Sequence, residues 1–470
     1  MSRVVVVGGG ISGLAAAWEL SGGAEGSTTA SPEVVVLEAS ERVGGALRSE
    51  SFAGRVVDVG PDGFLGRRPE AAALCHEVGL GDMLEPVGGR GAGVLARGSV
   101  RPLPEGLALG VPTRFWPAAR SGILGWRGAA GLARDVLLPR PDVRGPIGDR
   151  AVGPLVARKL GQRVVDLLVD PLIGGIHAGS VDDMSAAAVD PPLLAAAQRR
   201  GGLMRALQAE TPAPPEEPAP PLFWAVQGGL QRLADTLSSE LARRGVHVRC
   251  GVPAEQLDRT ATGWSVGTRQ GAVEGSAVVL AVPAPVSARL LRTHDEEAAA
   301  LADGIDYASV GLVTFAIPAD AVTTPLFGTG FLVPRHSIRA DDPAGWAMTA
   351  CTYLSQKWPH LARPEDVLLR ASVGRFGDER LAAWSDEEVT ARVWQELTEL
   401  LALSGRPTAS LVVRFPDAFP QYRVHHLLRT AGIEAAVARL GGLAVAGAAY
   451  RGVGIPACIA SGRAAARAVQ

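Results

Sequence analysis

The sequence predicts a mixed α/β protein (α/β with α+β regions) whose N-terminal part is a strand–helix–strand unit of a parallel sheet. Arg3–Val7 ends in four consecutive valines, which is typical of a strand buried on both faces of such a sheet. After a glycine-rich turn, Ile11–Leu20 places alanines and larger apolar residues at helical spacing. Glu33–Glu38 then has the composition of a second strand, so a right-handed crossover between the two strands is expected.

Composition limits the number of domains and the classes of function. At 470 residues the chain exceeds one hydrophobic core, so two or three domains are expected. A formal net charge of -2 argues against general electrostatic binding to nucleic acid or anionic lipid. The cysteines lie far apart without a CxxC pair, so neither a metal site nor a disulfide framework is expected. No apolar stretch is long enough to span a membrane and no signal peptide is recognised, which favours the cytoplasm.

The turn after the first strand has the spacing of a dinucleotide-binding loop. In the pattern Gly8-x-Gly10-x-x-Gly13, the first glycine permits a tight turn, the second admits a pyrophosphate and the third allows close helix–strand packing. The helix N-terminus offers free N–H groups to the phosphates. Glu38 is expected to accept hydrogen bonds from a ribose diol, which favours FAD or NAD over NADP. The loop Ser21–Pro32 accommodates the unusually long spacing before this carboxylate.

Residues 38–45 (EASERVGG) favour FAD over NAD. Here Arg42 and a second glycine pair follow the ribose-binding carboxylate. The segment resembles the E-A-x-x-R-x-G-G signature of FAD-dependent amine oxidases, phytoene desaturases and protoporphyrinogen oxidases. Arg42 can neutralise a phosphate, while Gly44 and Gly45 let the chain pass close to a cofactor. One FAD, bound without a covalent link, is therefore expected.

Three strand-and-helix regions and a separate helical stretch predict the domain organisation. The elements predicted beyond the N-terminal unit are strands at His247–Cys250, Gly263–Arg269, Ala277–Val282, Val310–Ile317, Ala347–Tyr353, Leu368–Val373, Leu411–Phe415 and Leu443–Ala446, and helices at Val152–Leu160, Gln162–Leu168, Leu230–Arg244 and Cys458–Val469. The domains predicted are a discontinuous, Rossmann-like FAD-binding domain (1–70, 223–305 and 430–470), a mixed-sheet substrate domain (71–95 and 306–429), a helical domain (96–208) and a proline-rich mobile loop (209–222).

Four further blocks resemble one family of flavoenzymes. They are Gly60–Phe64 (GPDGF), Asp170–Ser180 (DPLIGGIHAGS), Pro420–Tyr422 (PQY) and Gly447–Gly462 (GAAYRGVGIPACIASG). These blocks span the chain and are similar to motifs of the FAD-dependent protoporphyrinogen/coproporphyrinogen oxidase family, in particular its Gram-positive type of coproporphyrinogen III oxidase.

The resemblance implies roles for individual residues. The cofactor-binding residues it implies are Gly8, Gly9, Gly10, Ile11, Ser12, Gly13, Glu38, Ala39, Arg42, Gly45, Gly60, Pro61, Asp62, Gly63, Val252, Phe415, Gly447, Val453, Gly454 and Ile455. The substrate contacts implied are Arg68, Gly175 and Phe331, with the Gly175 carbonyl as the one catalytic candidate. Arg68 and its neighbour Arg67 suit solvated surface charges equally well.

The sequence also departs from the family pattern. Phe415 stands where relatives often have a tryptophan, and Val424-His425 lacks the usual glycine. An arginine typical of the mitochondrial branch is absent near Ala92, which fits the coproporphyrinogen branch better. His177 is expected to pack rather than to act as a base, and Cys458 is expected to be a buried small residue.

The function implied is oxygen-dependent oxidation of coproporphyrinogen III to coproporphyrin III in haem biosynthesis. Six electrons would leave in three two-electron steps through FAD, with three O2 giving three H2O2. A transient contact with a ferrochelatase and a peripheral contact with a membrane belong to the same expectation. The alternatives are a protoporphyrinogen IX oxidase, a flavin amine oxidase, and a non-catalytic carrier of FAD or porphyrin.

Overall fold

The computed structural model describes residues 2–23, 31–138, 148–199, 201–210, 220–339, 342 and 345–470. The chain forms two compact units. Unit 1 comprises Met1–Pro86, Pro220–Asp306 and Leu427–Gln470, and unit 2 comprises Val87–Ala219 and Tyr307–His426. The finer division into a substrate domain and a helical domain stays a prediction. The proline-rich loop falls largely on residues 211–219, outside the described residues.

Both units contain strands and helices. The strands are β1 (Arg3–Val7), β2 (Glu33–Leu37), β3 (Ser49–Phe52), β4 (Arg55–Asp58), β5 (Phe64–Leu65), β6 (Leu84–Pro86), β7 (Gly93–Ala96), β8 (Ser99–Pro102), β9 (Leu107–Ala108), β10 (Val111–Pro112), β11 (Phe223–Val226), β12 (His247–Arg249), β13 (Gln256–Thr260), β14 (Gly263–Thr268), β15 (Gly271–Gly275), β16 (Ala277–Leu280), β17 (Tyr307–Pro318), β18 (Gly330–Leu332), β19 (Met348–Tyr353), β20 (Asp366–Val373), β21 (Ala409–Pro420) and β22 (Leu443–Val445). The α-helices are α1 (Ile11–Leu20), α2 (Pro69–Glu77), α3 (Phe115–Arg120), α4 (Gly125–Leu137), α5 (Val152–Leu160), α6 (Gln162–Val164), α7 (Gly175–His177), α8 (Ala186–Val189), α9 (Pro191–Gln198), α10 (Leu203–Glu210), α11 (Gln231–Arg243), α12 (Ala284–Leu291), α13 (Glu296–Asp303), α14 (Leu354–Lys357), α15 (Arg380–Ala383), α16 (Asp386–Leu401), α17 (His426–Leu440) and α18 (Ile455–Val469).

A parallel sheet of order β12-β2-β1-β16-β22 forms the centre of unit 1. Its middle strand β1 pairs Val5 with Val35 on one side and with Val278 on the other. The side chains of β1 from Val4 to Val7 are almost completely buried, because neighbouring elements cover both faces of the sheet. The predicted strand–helix–strand unit is therefore confirmed.

A seven-stranded mixed sheet of order β21-β17-β20-β19-β18-β7-β8 forms one part of unit 2. All neighbouring strands pair antiparallel except β18 and β7, which run parallel. One face buries aromatic side chains such as Phe315 and Tyr353. The helical stretch of unit 2 forms a second apolar core that includes Leu168 and Ile173.

Several predicted elements differ from the structure in their bounds. The predicted helix Gln162–Leu168 is helical throughout, but α6 ends at Val164 and a π-helix runs through Val165–Gly174. Pro171 lies inside that π-helix, and its lack of an N–H group disfavours regular α-helical hydrogen bonding there. Strand β21 is longer than predicted because it pairs with β17 along nearly its whole length. Helix α18 begins at Ile455, three residues before the predicted start at Cys458.

None of the helices described combines the length with the apolar character that crossing a bilayer requires.

Helices α1 and α18 approach each other closely in unit 1. A Cβ atom added at Gly462 would lie 2.0 Å from the backbone oxygen of Ser12. Since the obstacle is backbone, a side chain at this position would force the two helices apart.

Gly462→Ala should therefore lower the thermal unfolding midpoint, because overpacking costs about 1–3 kcal/mol and exceeds the gain in helix propensity. Gly432→Ala on α17 is the matched control, since its Cβ would meet only the terminal methyl group of Leu301, at 2.9 Å. Differential scanning fluorimetry of both variants measures the difference. Equal midpoints for the two variants would contradict the proposed close contact.

Candidate functional site

The first glycine turn combines close packing with open space. Gly8 has φ +107°, and a Cβ there would lie 2.3 Å from the oxygen of Ala281. A Cβ at Gly13 would lie 1.8 Å from the oxygen of Gly8. At Gly10, by contrast, a Cβ would meet nothing within 4 Å. Packing thus requires the first and third glycines, and the middle one leaves room for a ligand to approach the backbone.

The carboxylate of Glu38 is fixed at the end of β2. It accepts hydrogen bonds from the N–H of Gly9 at 2.6 Å, and from the N–H and the hydroxyl of Ser40 at 2.8 and 2.7 Å. A carboxylate oxygen has two acceptor positions, so further donors can still bind. The next residue, Ala39, is exposed. This geometry fits a carboxylate that receives the hydroxyl groups of a ribose.

The guanidinium of Arg42 holds the second glycine turn. It donates to the carbonyls of Val43, Leu47 and Gly45 at 3.1, 2.9 and 2.8 Å, and to the side-chain oxygen of Gln231 at 2.7 Å. Burial, assisted by a neighbouring arginine, lowers the pKa of Arg42. The phosphate-neutralising role of Arg42 stays a prediction, whereas its observed contacts fix the turn.

Two helix N-termini in unit 1 lie side by side without side-chain caps. The N-cap residues are Gly10 for α1 and Gly454 for α18, and neither first turn contains an acidic residue. The backbone oxygen of Ser12, in the first turn of α1, lies against Gly462 of α18. Two adjacent helix ends with free N–H groups favour an anion, as the pyrophosphate of FAD requires. The residues of unit 1 therefore fit the cofactor.

The remaining predicted residues near these helix ends include Gly447, Val453 and Ile455. Gly447 has φ +124° and open space where a Cβ would stand, while its N–H donates to the hydroxyl of Ser461 at 3.1 Å. Val453 is half-buried and Ile455 is buried at the start of α18. A glycine with positive φ and open space beside it gives a ligand close access to the chain.

Cys458 is buried, as expected. Burial raises the pKa of its thiol to about 11, so the sulfur is protonated at neutral pH and is a poor nucleophile.

Two further cofactor candidates lie close to these turns. A Cβ at Gly60 would lie 2.2 Å from the oxygen of Ala46, so the GPDGF turn packs directly behind the second glycine pair. Its next three residues, Pro61, Asp62 and Gly63, are half-buried. Val252 is buried and its N–H donates to the Glu38 carbonyl at 2.8 Å, so a backbone contact to an adenine would use the Val252 carbonyl.

Arg68 is an exposed residue at the N-cap of α2. Its guanidinium forms an ion pair with Glu70 at 2.7 Å, and 47% of its side chain is exposed. The hydrogen bond with Glu70 raises the pKa of Arg68. A substrate carboxylate at Arg68 would compete with Glu70, and the substrate role of Arg68 stays a prediction.

The turn after the π-helix of unit 2 carries Gly175. Donors from three other segments bind the backbone carbonyls of residues 177 to 179. The side chain of Gln421 donates to the His177 carbonyl at 3.0 Å, and the N–H of Phe376 donates to the Ala178 carbonyl at 2.6 Å. The guanidinium of Arg335 donates to the Gly179 carbonyl at 2.8 Å. Ala178 itself has φ +49°, a left-handed conformation that a non-glycine residue adopts only when its surroundings impose it. We call residues 174–181 the clamped turn.

Gly175 and Ile176 are the exposed part of the clamped turn. A Cβ at Gly175 would meet only a methyl group of Leu332, at 3.7 Å, so nothing in its surroundings demands a glycine for packing. Ile176 is 50% exposed although it is a large apolar residue. Rigid backbone beside an exposed apolar side chain suits the edge of a ligand site.

Two predicted aromatic residues lie elsewhere in unit 2. Phe331 is 2% exposed in the core of the mixed sheet, with its ring 6.1 Å from that of Tyr353. Phe415 lies in β21 and packs beside Ala178 and Val310. The roles predicted for Phe331 and Phe415 stay predictions.

His177 packs in a row of rings. Its ring centroid lies 5.7 Å from that of Tyr422, which stacks on His426 at 3.9 Å. Burial, with a smaller effect of His426, lowers the pKa of His177 to about 4. A packing role was expected, and the buried imidazole agrees with it.

Sequence reasoning missed the residues that hold these turns in place. Gln231, Arg335 and Phe376 carry no motif, and their contacts depend on chain segments that are distant in sequence. Gln421 lies within the PQY block, so the block itself was the available signal.

The family of flavin-containing amine oxidoreductases matches residues 11–470. The chain belongs to this family. It is an FAD-dependent oxidoreductase, so the predictions of the cofactor and of the enzyme class are confirmed.

The similarity to known relatives extends over almost the whole chain of this flavin-dependent oxidoreductase. It is 30% identical over 469 residues to the coproporphyrinogen III oxidase of Bacillus subtilis, covering 98% of this chain and 97% of the relative. It is 36% identical over 469 residues to the coproporphyrinogen III oxidase of Mycobacterium bovis, covering 98% and 95%. The crystal structure of an Exiguobacterium sp. 255-15 protein assigned as a protoporphyrinogen oxidase gives a TM-score of 0.86 at 31% identity, covering 100% and 98%. The predicted fold class and the resemblance to porphyrinogen oxidases are confirmed.

Glu38→Ala should weaken FAD binding at least about tenfold, because hydrogen bonds to a charged group contribute about 1.5–3 kcal/mol. The matched control is Glu41→Ala, which removes an equal charge from an exposed residue of the same loop. Titration of the apoproteins with FAD, followed by flavin fluorescence, measures the dissociation constants. An equal loss in both variants would remove Glu38 from the cofactor site.

His177 should make the protein less stable in acid. Its folded-state pKa of about 4 lies below the ordinary 6.5, so the unfolded chain binds the extra proton and this stability is lost as pH falls from 6.5 to about 4. His177→Phe should remove up to about 3 kcal/mol of this pH dependence. Urea unfolding between pH 4 and pH 7 measures it, with His336→Phe, at an exposed histidine, as the control. Unchanged acid sensitivity in His177→Phe would exclude the buried neutral imidazole.

Proposed function

We propose that the protein is an oxygen-dependent FAD oxidase that converts coproporphyrinogen III to coproporphyrin III in haem biosynthesis. The observation that carries the proposal is similarity over 98% of the chain to relatives with that activity, at 30% and 36% identity. The conversion removes six electrons and six hydrogens, so three O2 are reduced to three H2O2. When bound, FAD supplies the two-electron oxidation and the reaction with oxygen.

The residues of unit 1 have the task of holding the cofactor. Glu38 would bind the ribose, and the uncapped ends of α1 and α18 would hold the pyrophosphate through their N–H groups. Arg42 keeps the second glycine turn in shape so that the chain can pass close to the cofactor. These contacts orient the flavin and need no acid or base from the protein.

The residues of unit 2 have the task of holding the substrate. The Gly175 carbonyl lies on the clamped turn, which is fixed by donors from three other segments. A rigid carbonyl can orient the pyrrole N–H groups of a porphyrinogen. The exposed Ile176 adds apolar surface, which suits the macrocycle. His177 is buried and neutral, so it fixes the turn and is not required as a base.

Protoporphyrinogen IX is the second candidate substrate. The likeness to the Exiguobacterium structure, at a TM-score of 0.86, favours it. Coproporphyrinogen III has four propionates and protoporphyrinogen IX has two, so coproporphyrinogen III needs a more cationic site.

An amine oxidase is less well supported: the only lysines are Lys159, which is buried, and Lys357, which lies over the ring of Trp358. A non-catalytic carrier of porphyrin alone would not need the cofactor contacts described. Oxygen as acceptor, transient contact with a ferrochelatase and a cytoplasmic location, with or without peripheral membrane contact, are part of the proposal.

The purified holoprotein under air should produce porphyrin fluorescence and peroxide from coproporphyrinogen III, and more slowly from protoporphyrinogen IX. The two substrates are supplied separately, and a cadaverine assay for peroxide serves as the amine control. Heat-denatured protein corrects for spontaneous oxidation. Faster turnover of protoporphyrinogen IX would favour the second candidate. No porphyrin from either substrate, together with peroxide from the amine, would overturn the proposal.

A further inference from the structure

Arg335 and Arg375 lie beside the clamped turn of unit 2 and belong to none of the sequence motifs. Arg335 follows β18 and donates to the Gly179 carbonyl at 2.8 Å. Arg375 follows β20, and its neighbour Phe376 donates its N–H to the Ala178 carbonyl at 2.6 Å. Two loops of the mixed sheet thus bring two guanidinium groups to one short stretch of backbone.

The charges around these arginines are unequal. Asp170 lies 3.9 Å from the Nε of Arg335, and this carboxylate also accepts the N–H of Val181 at 3.2 Å. The carboxylate of Asp378 is engaged by Arg380, which donates to it at 2.7 and 2.9 Å. Each of these two carboxylates therefore already has its own arginine. Asp170 and Asp378 also act electrostatically on Arg375, but neither forms an ion pair or hydrogen bond with its guanidinium.

The guanidinium of Arg375 forms no hydrogen bond or ion pair with the described residues, although the residue is half-buried. Burial and the like charge of Arg335 lower the pKa of Arg375 to about 10, so it still carries its charge at neutral pH. Partial burial removes water from a charged guanidinium, and an anion placed against it compensates that loss. A guanidinium fork also matches a carboxylate in geometry.

We propose that Arg375, assisted by Arg335, forms an anion site that binds a carboxylate of the tetrapyrrole substrate. The inference rests on the proposed function, because a porphyrinogen is the ligand that supplies the carboxylate. Arg335 is already bonded to Gly179 and so positions the site, while Arg375 supplies the free donors. The same contacts link the anion site to the turn that carries Gly175.

Three variants of the holoprotein test the assignment. Arg375→Gln removes the charge, and Arg375→Lys keeps it but lacks the fork. Arg406→Gln is the matched control, since Arg406 is an exposed arginine in the loop between α16 and β21. Flavin absorbance and the thermal midpoint verify that each variant folds and retains FAD.

Binding of coproporphyrin III, measured by fluorescence quenching, provides the first readout. Arg375→Gln should weaken binding about tenfold, Arg375→Lys about threefold, and Arg406→Gln less than twofold. The tetramethyl ester has no carboxylate, so wild type and Arg375→Gln should bind it equally. The same loss for the ester and the free acid, or unchanged binding in Arg375→Gln, would overturn the anion site. If Arg375→Gln does not fold, unchanged binding in Arg375→Lys overturns it.

Steady-state oxidation of coproporphyrinogen III gives the second readout. Arg375→Gln should raise KM about tenfold and leave kcat within about twofold, since a remote carboxylate contact binds substrate and transition state alike. A purely structural role would lower kcat and the thermal midpoint together, and that result would contradict the proposal. If the wild type oxidises no porphyrinogen but binds coproporphyrin III through Arg375, the proposed function fails while the anion site stands.

Discussion

Close backbone contact around the first turn of α1 is the constraint on which unit 1 depends. Gly13 lets α1 touch the turn at Gly8, and Gly462 lets α18 touch α1 at Ser12. Because the obstacle at each position is a backbone oxygen, no side-chain rearrangement can make room for a Cβ. The close contact brings the uncapped N-termini of two helices together, so their dipoles act on the same region. The packing of small residues therefore produces the arrangement that the proposed pyrophosphate site requires.

The clamped turn gives unit 2 a comparable constraint made from hydrogen bonds. A left-handed residue such as Ala178 is strained by about 1–3 kcal/mol, and donors to consecutive carbonyls can stabilise it. The result is a rigid stretch of backbone that ends in the exposed pair Gly175 and Ile176. Rigidity matters here because a flavoenzyme relies on the orientation of its substrate toward the cofactor.

The two units differ in whether their half-buried charged side chains have partners. In unit 1 the carboxylate of Glu38 and the guanidinium of Arg42 are satisfied by neighbouring groups, which leaves helix ends as the electrostatic attraction for a phosphate. In unit 2 Arg375 lacks such a partner among the described residues. Phosphate recognition by backbone suits a cofactor that stays bound, while an unpaired guanidinium suits a carboxylate that must arrive and leave.

The sequence by itself determined the parts of the protein that depend on local backbone. The valine run of β1, the spacing of Gly8, Gly10 and Gly13, and the carboxylate at the end of β2 each follow from a few adjacent residues. The π-helix was not predicted, because the pattern of apolar residues does not reveal how Pro171 is accommodated. Only the tertiary structure brought Arg335 to Gly179 across 156 residues and Gln421 to His177 across 244. Such contacts leave no periodicity in the sequence, since each arises from the packing of a whole sheet.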